Sequence, residues 1–259
     1  MWDADRYLQF AADYSRPFLD MLAQIPQREM QTIVDLGCGP GDLTRRLAER
    51  WPDADIVGVD CSAEMLARAQ SEIALSRLRF VRGDIATWTP ERPVDLLVSN
   101  AALQWVGDHA RLLPRLADLL AARGVLAVQM PDHFAMPVHL AIGEVISRPR
   151  WRDLLAHASV GLQPDTVKPL LWYVEQLDRL GFDVNAWHST YVRIWRGDNP
   201  VLEWMKATAL RPLLARLDAA QTPEFLREVG ERFRAHYPKT GDVTFVPAKR
   251  LFFVASRRG

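Results

Sequence analysis

No stretch of this 259-residue chain reaches 18 uninterrupted apolar residues, which argues against a membrane-spanning helix. Only two cysteines occur, Cys38 and Cys61, too few for a disulfide framework. A reduced, cytoplasmic setting is the simplest reading of that scarcity. The opening "MWDADRYLQF" has no basic run followed by an apolar core, so it does not read as a signal peptide. Charge of either sign is not in excess: 32 basic residues face 32 acidic ones, and no global field draws in nucleic acid or an acidic membrane. Any anion must therefore be bound by individually placed Arg or Lys. Internal repeats, low-complexity tracts and Gly/Ser linkers are all missing, which favours one domain with a cap over two linked domains. There is no nucleophile elbow, no H-E-x-x-H and no Cys/His cluster with metal spacing. His133 and His139, six apart in an irregular region, are a poor metal pair, and no metal is expected.

What is present is apolar and ordered. The chain is 49% hydrophobic, enough for an ample core. Residues 16–26 show helical spacing at Phe18, Leu22 and Ile25. Then short apolar runs alternate with helical segments: "TIVDLG", "ADIVGVD", "LRFVRGD", "VDLLVSN" and "VLAVQM" read as strands. "DLTRRLAER" and the segment capped by Ser62, with Met65, Leu66, Ala69 and Ile73 inward, read as helices. "HARLLPRLADLLAARG" is expected to be helical throughout, with Gly124 as its C-terminal cap and Pro114 near the first turn. Continuous apolar strands alternating with helices predict a doubly wound, mostly parallel sheet covered on both faces. Residues 131–170 show no clean period. "FDVNAWHSTYVRIW" and "KRLFFVAS" predict late strands and an antiparallel edge, and residues 200–236 a helical insertion.

Open sheets of this kind bind ligands beyond the carboxyl ends of their strands. Asp35, Asp60, Asp84 and Asn100 end four successive predicted strands. The first is followed by a glycine loop, "VDLGCGPGDLT", residues 34–44. Its glycines, Gly37, Gly39 and Gly41, are spaced G-x-G-x-G, not the G-x-G-x-x-G of dinucleotide sites. A carboxylate two residues before the first glycine would repel a pyrophosphate but attract a cation. Asp60, 19 residues after Gly41, suits the two hydroxyls of a ribose. The loop therefore suits a nucleoside carrying an amino acid with ammonium and sulfonium charges, S-adenosylmethionine.

"VDLGCGPG", "GVD", "GDI" and "SNAALQW" resemble the motif set of class I S-adenosylmethionine-dependent methyltransferases. The resemblance covers about residues 30–130. It implies a seven-stranded sheet with an antiparallel edge strand, a cofactor core over 30–130, and cap and substrate-side segments over 1–29, 131–175 and 197–240. It implies that Gly37, Cys38 and Gly39 border the methionine part, with Asp35 near its amino group. Asp60 would hold the ribose and Asp84 the adenine amino group, with the Ile85 N–H on the ring. Asn100 would offer its carbonyl to the ammonium, and Met65 and Trp105 would flank the base and the transfer site. "YLQFAADYSRP", "NAALQWVGDHARLLPRL", "WMKATALRPLL" and "RLFFVA" further resemble the branch of this family that esterifies trans-aconitate.

A carboxylate acceptor is ionised above pH ~4, so it needs no general base and none is assigned. A polycarboxylate does need cations, and planar Arg pairs carboxylates best. Arg16 and Arg211 are the candidates, each before a proline that should bias it away from helix. Gln104, Trp105 and Tyr191 complete the expected substrate side. An alcohol acceptor would instead call on His109 or His133 as base. A nucleotide-binding oxidoreductase, or a cofactor sensor without transferase activity, are the alternatives of other classes. Nucleic-acid methylation is disfavoured by the lack of a basic stripe and of an N-P-P-[FYW] tetrad.

Overall fold

The computed structural model describes residues 11–132, 136–155 and 166–259. Helix α1 (Ala11–Gln24) leads to β1 (Thr32–Leu36), α2 (Asp42–Arg50), β2 (Asp55–Asp60), α3 (Ala63–Glu72), β3 (Leu78–Arg82) and β4 (Val94–Asn100). A one-turn 3-10 segment, Leu103–Trp105, precedes α4 (His109–Asp118) and β5 (Leu120–Pro131). Then come α5 (Pro137–Ile146), α6 (Pro149–Leu155), α7 (Leu170–Arg179), β6 (Phe182–Arg196), α8 (Pro200–Ala207), α9 (Arg211–Leu214), α10 (Gln221–His236), β7 (Lys239–Thr240) and β8 (Val243–Arg257).

The sheet runs β3-β2-β1-β4-β5-β8-β6, with the two-residue β7 attached to β8. The expected doubly wound sheet is present. β1 lies parallel to both β2 and β4, with Val34 opposite Val57 on one side and Leu97 on the other. β5 meets β8 antiparallel, from Val125 opposite Ser256 to Pro131 opposite Arg250. All five residues of β1 are buried, as a strand covered on both faces requires. The buried Ser99 hydroxyl donates to the Leu36 carbonyl at 2.8 Å and ties β4 to β1. Strand order reverses between β1 and β4, which makes their carboxyl ends the switch point where such sheets take ligands.

The described residues fall into two compact units, those within 1–131, 168–189 and 250–259 in the first and those within 132–167 and 190–249 in the second. In the second, α5, α6, α8 and α10 contribute to a buried core that includes Trp151, Phe225 and Phe233. Trp151 meets Phe225 edge-on, with ring centroids 5.3 Å apart.

Several expectations are corrected. The helix from His109 stops at Asp118, and Gly124 lies inside β5 instead of capping the helix. Val94 N–H takes the Leu119 carbonyl at 3.0 Å, so strand pairing overrides the helical propensity of "LLAAR". Pro114 stands mid-helix, not in the first turn. α5 was not legible as a helix, although Val138, Ala141, Ile142 and Val145 are all buried at i, i+3, i+4 and i+7. An exposed Leu140 between them blurs that stripe.

Candidate active site

The glycine loop takes its shape from left-handed backbone at Gly37 (φ 82°), Gly39 (φ 54°) and Gly41 (φ 84°). Each glycine answers a different demand. A Cβ on Gly37 would sit 2.2 Å from the Ala102 Cβ, so the loop after β4 presses on it. A Cβ on Gly41 would meet Phe80 at 2.6 Å. Gly39 has nothing within 4 Å of that position and offers bare backbone to open space.

Asp60, at the end of β2, fastens this loop. One carboxylate oxygen accepts the Gly39 N–H at 2.9 Å and the other accepts the Ser62 N–H at 2.8 Å. Ser62 in turn caps α3 by accepting the Met65 N–H at 3.3 Å, with Met65 itself buried. The Gly37 and Cys38 N–H groups both donate to the Val59 carbonyl, at 2.8 and 3.1 Å.

Asp35 is placed otherwise than expected. It precedes the last residue of β1 and is 2% exposed, not open at a strand end. Its carboxylate accepts the Thr44 hydroxyl at 2.7 Å, joining β1 to α2. Burial raises its pKa to about 7; the Thr44 bond opposes that rise and the Asp60 charge adds to it. Cys38, beside it, is buried, and burial pushes its thiol far above the ordinary range, so it stays protonated. Asp84 also departs from expectation. It lies two residues beyond the end of β3, is exposed, and accepts the Ala86 N–H at 2.8 Å in a side-chain turn. The adjoining Ile85 carbonyl accepts from Arg115 Nη1 at 3.1 Å.

At the end of β4, Asn100 is 9% exposed and its Oδ1 is buried without a hydrogen-bond partner. Buried acceptors are nearly always satisfied, so this one is poised for a donor. Gln129, opposite Asn100 in β5, and Gln104 also carry buried orphans, Nε2 and Oε1 respectively. An aminoacyl nucleoside would fit the residues present: an open backbone at Gly39, the Asp60 carboxylate ending β2 and an unsatisfied acceptor at Asn100. Asn100→Leu is expected to weaken S-adenosylhomocysteine by about thirtyfold, the loss of one hydrogen bond to a charged group, read by calorimetry.

Sequence reasoning missed Thr44, Arg115 and Gln129. Only Gln129 carried a signal, as the one polar side chain in the apolar run "VLAVQM".

His109 is not available as a base. Its Nε2 meets the Leu103 carbonyl at 2.9 Å and its Nδ1 the Tyr173 hydroxyl at 2.6 Å, both buried. Burial lowers its pKa below the usual value. His133 lies outside the described residues, and His139 is half-buried with its pKa lowered by desolvation to about 4.

Both arginines differ from the pre-proline expectation. Arg16 lies within α1, which carries Pro17 inside it while Phe18, Met21 and Leu22 are buried. Arg211 is the first residue of α9, where Pro212 is tolerated because a first-turn N–H has no helical partner. Burial of the apolar face outweighs the pre-proline bias in α1. Both arginines are exposed. Arg16, Gln104 and Trp105 belong to the first unit, Tyr191 and Arg211 to the second. Trp105 is 54% exposed and Tyr191 half-buried.

Fold and site together define the methyltransferase class, and residues 33–124 match the family model described as "Methyltransferase domain". Solved structures agree on the fold. A putative methyltransferase from Bacillus halodurans superposes with TM-score 0.61 at 12% identity, covering 93% of this chain and 99% of that one. The phosphoethanolamine N-methyltransferase 2 of Haemonchus contortus, solved with S-adenosylhomocysteine, gives TM-score 0.56 at 17% identity over 94% of this chain and 53% of its own. Relatives by sequence are nearer. The trans-aconitate 2-methyltransferase of Streptomyces avermitilis is 44% identical over 99% of this chain and 97% of its own length. That of Escherichia coli O7:K1 is 38% identical over 99% and 98%. The chain belongs to the trans-aconitate 2-methyltransferase family.

Proposed function

We propose that this protein transfers the methyl group of S-adenosylmethionine to a carboxylate of trans-aconitate, or of a closely similar polycarboxylic acid, forming a methyl ester. The observations that carry the cofactor assignment are the orphaned Asn100 Oδ1 at the end of β4 and the bare Gly39 backbone after β1, at the sheet's switch point. Near full-length similarity to the aconitate enzymes carries the acceptor. When bound, S-adenosylmethionine supplies an electrophilic methyl group on a sulfonium.

The chain's own residues bind and orient. In this reading Asp60 holds the ribose, Asp84 and Ile85 the adenine, Met65 flanks the base, and Asp35 and Asn100 favour the ammonium. Gln104 and Trp105 bound the acid on the side of β4. Because the acceptor is already ionised near neutral pH, no residue has to remove a proton, in keeping with a His109 whose ring nitrogens are both engaged. The work is positioning and exclusion of water. The reading includes a cytoplasmic protein acting on a small molecule without a metal. Among the described residues no helix is long and apolar enough to cross a membrane.

The test is a panel of polycarboxylic acids incubated with methyl-labelled S-adenosylmethionine. A base-labile labelled ester on trans-aconitate is expected. Label transferred only to hydroxylated metabolites, as a base-stable ether, would overturn the acceptor assignment.

Carboxylates of the acid need cations, and Arg16, Arg211 and the Tyr191 hydroxyl are proposed on that chemical ground. Arg16→Leu and Arg211→Leu are each expected to lower kcat/KM for trans-aconitate at least tenfold. Lys at either position should recover only part, since it lacks the paired planar donors. If neither Leu variant changes kcat/KM by threefold, the cations lie elsewhere. Lys206 and Arg193, the latter buried with its guanidinium over the rings of Trp195 and Trp204, are then the next to test.

A further inference from the structure

The loop after β4 is bracketed by two residues in backbone conformations that L side chains rarely adopt. Ala101 has φ 53° and Asp108 has φ 51°. Such strain persists only where surrounding contacts over-determine it, and it concentrates at functional sites. Three ties hold the loop. Ala101 N–H donates to the Gln129 carbonyl at 2.9 Å. Gln104 Nε2 donates to the Ala101 carbonyl at 2.7 Å. His109 Nε2 meets the Leu103 carbonyl at 2.9 Å.

The third tie is anchored at a distance in sequence. Lys168 N–H donates to the Tyr173 hydroxyl oxygen at 3.0 Å, and that hydroxyl lies 2.6 Å from His109 Nδ1. A carbonyl can only accept, so Nε2 carries the imidazole proton. Nδ1 is then an acceptor, and the Tyr173 hydroxyl donates to it. The direction of every bond from Lys168 to Leu103 follows, with one histidine tautomer selected. Tyr173 is 1% exposed and stacks on Phe253, with centroids 5.4 Å apart, so the anchor is rigid. All of these residues lie in the first unit.

We propose that His109 and Tyr173 are positioning residues for methyl transfer: through the Leu103 carbonyl they set the turn that presents Gln104 and Trp105. The inference rests on the reading that those two side chains border the acid. Trp105 is over half exposed and is the last residue of the 3-10 turn whose first residue, Leu103, the His109 bond holds. Gln104 is 5% exposed, and its amide reaches back to Ala101 within the same turn. Burial also favours the neutral imidazole, in which Nε2 donates to Leu103 and Nδ1 accepts from Tyr173.

Four variants separate positioning from packing. In His109→Gln the side-chain NH2 reaches the place of Nε2 and keeps the donor to Leu103. In His109→Asn the side chain is too short to do so. Tyr173→Phe keeps the stacked ring and removes only the hydroxyl. Trp105→Phe identifies one resonance in protein labelled with 5-fluorotryptophan. His109→Asn is expected to lower kcat for trans-aconitate at least tenfold, to leave the Kd for S-adenosylhomocysteine within twofold, and to shift the Trp105 fluorine signal. His109→Gln should recover kcat to within threefold of wild type and return the signal. Tyr173→Phe should raise KM about fivefold and broaden the signal.

Equal loss in the Asn and Gln variants, an unmoved fluorine signal, or a parallel loss of S-adenosylhomocysteine affinity would overturn the proposal. If a His109 variant does not fold, Tyr173→Phe alone decides. If wild type transfers no methyl to trans-aconitate, the acceptor assignment falls, while the fluorine signal still decides whether His109 and Tyr173 hold the turn.

Discussion

Replacing Asp60 by alanine is expected to weaken S-adenosylmethionine binding a hundredfold or more while the fold survives. Two contributions lie on one carboxylate. The first is the proposed pair of bonds to the ribose hydroxyls, each charge-assisted and worth ~1.5–3 kcal/mol. The second is the fastening already visible in the protein, where the same two oxygens accept the Gly39 and Ser62 N–H groups. Removing the carboxylate frees the Gly39 N–H and loosens the tip of the glycine loop, which stays tied to β2 through the Val59 carbonyl, and it also removes the ribose acceptors. A sum of ~3 kcal/mol or more corresponds to at least two decades in Kd. Asn at this position keeps one acceptor oxygen and loses the charge, so it should fall between wild type and Ala. Calorimetry with S-adenosylhomocysteine measures the series, and circular dichroism checks the fold. An unchanged Kd in a folded Ala variant would remove Asp60 from the site.

Asp35 should make both stability and cofactor affinity depend on pH, with opposite signs. Its folded pKa is raised by burial to about 7 from an ordinary value of 3.8. Between these values the folded state holds a proton that the unfolded state has released. Stability contributed by this group therefore falls as pH rises from about 4 to about 7, and the full cost is present above about 7. That cost is on the order of 4 kcal/mol at pH 8 and smaller at pH 5. Asp35→Asn keeps an acceptor for the Thr44 hydroxyl and cannot ionise. It should stabilise the cofactor-free protein more at pH 8 than at pH 5, by ~2–3 kcal/mol in urea unfolding. Equal stabilisation at the two pH values would contradict a buried, proton-holding Asp35. The ligand reverses the sign. An ammonium placed near the carboxylate favours its ionised form, so affinity for S-adenosylmethionine should rise from pH 5 to pH 7. In Asp35→Asn that rise should flatten. On the proposed reading, the protein keeps inside its core a carboxylate that is costly alone and that a cationic ligand would satisfy.

How much of this was legible beforehand differs from residue to residue. The strands β1, β2 and β4 were visible as apolar runs because each is buried on both faces and needs no alternation. The extent of α2 matched its periodic segment, and the cap at Ser62 did its expected work. The helix before β5 was drawn too long because "DLLAARG" is locally helical. Two long-range bonds accompany its early end, Val94 N–H to the Leu119 carbonyl and Arg257 Nη2 to the Ala117 carbonyl. Arg16 and Arg211 were expected to be biased away from helix by the proline that follows each, and each stands in a helix. The four polar residues at strand ends were found, but their environments were not. Asp35 is closed in, Asp84 is open, and Asn100 keeps an unsatisfied oxygen.

By itself the amino-acid sequence determined the alternation of strands and helices and the glycine loop, whose left-handed positions only glycine adopts readily. It also determined the chemical character of the residues at the sheet's carboxyl edge. These are properties of short windows: apolar periodicity, backbone freedom and side-chain type. The tertiary structure decided everything that depends on which distant side chain arrives next to which. Asp35 finds Thr44 from α2, Asn100 stands opposite Gln129 across the strand pair, and His109 meets Tyr173 from 64 residues away. Burial, orphaned acceptors, a selected tautomer and a carboxyl titrating near neutrality all arise from those meetings. No local pattern encodes them, because each is set by the desolvation and hydrogen bonding that only the closed core imposes.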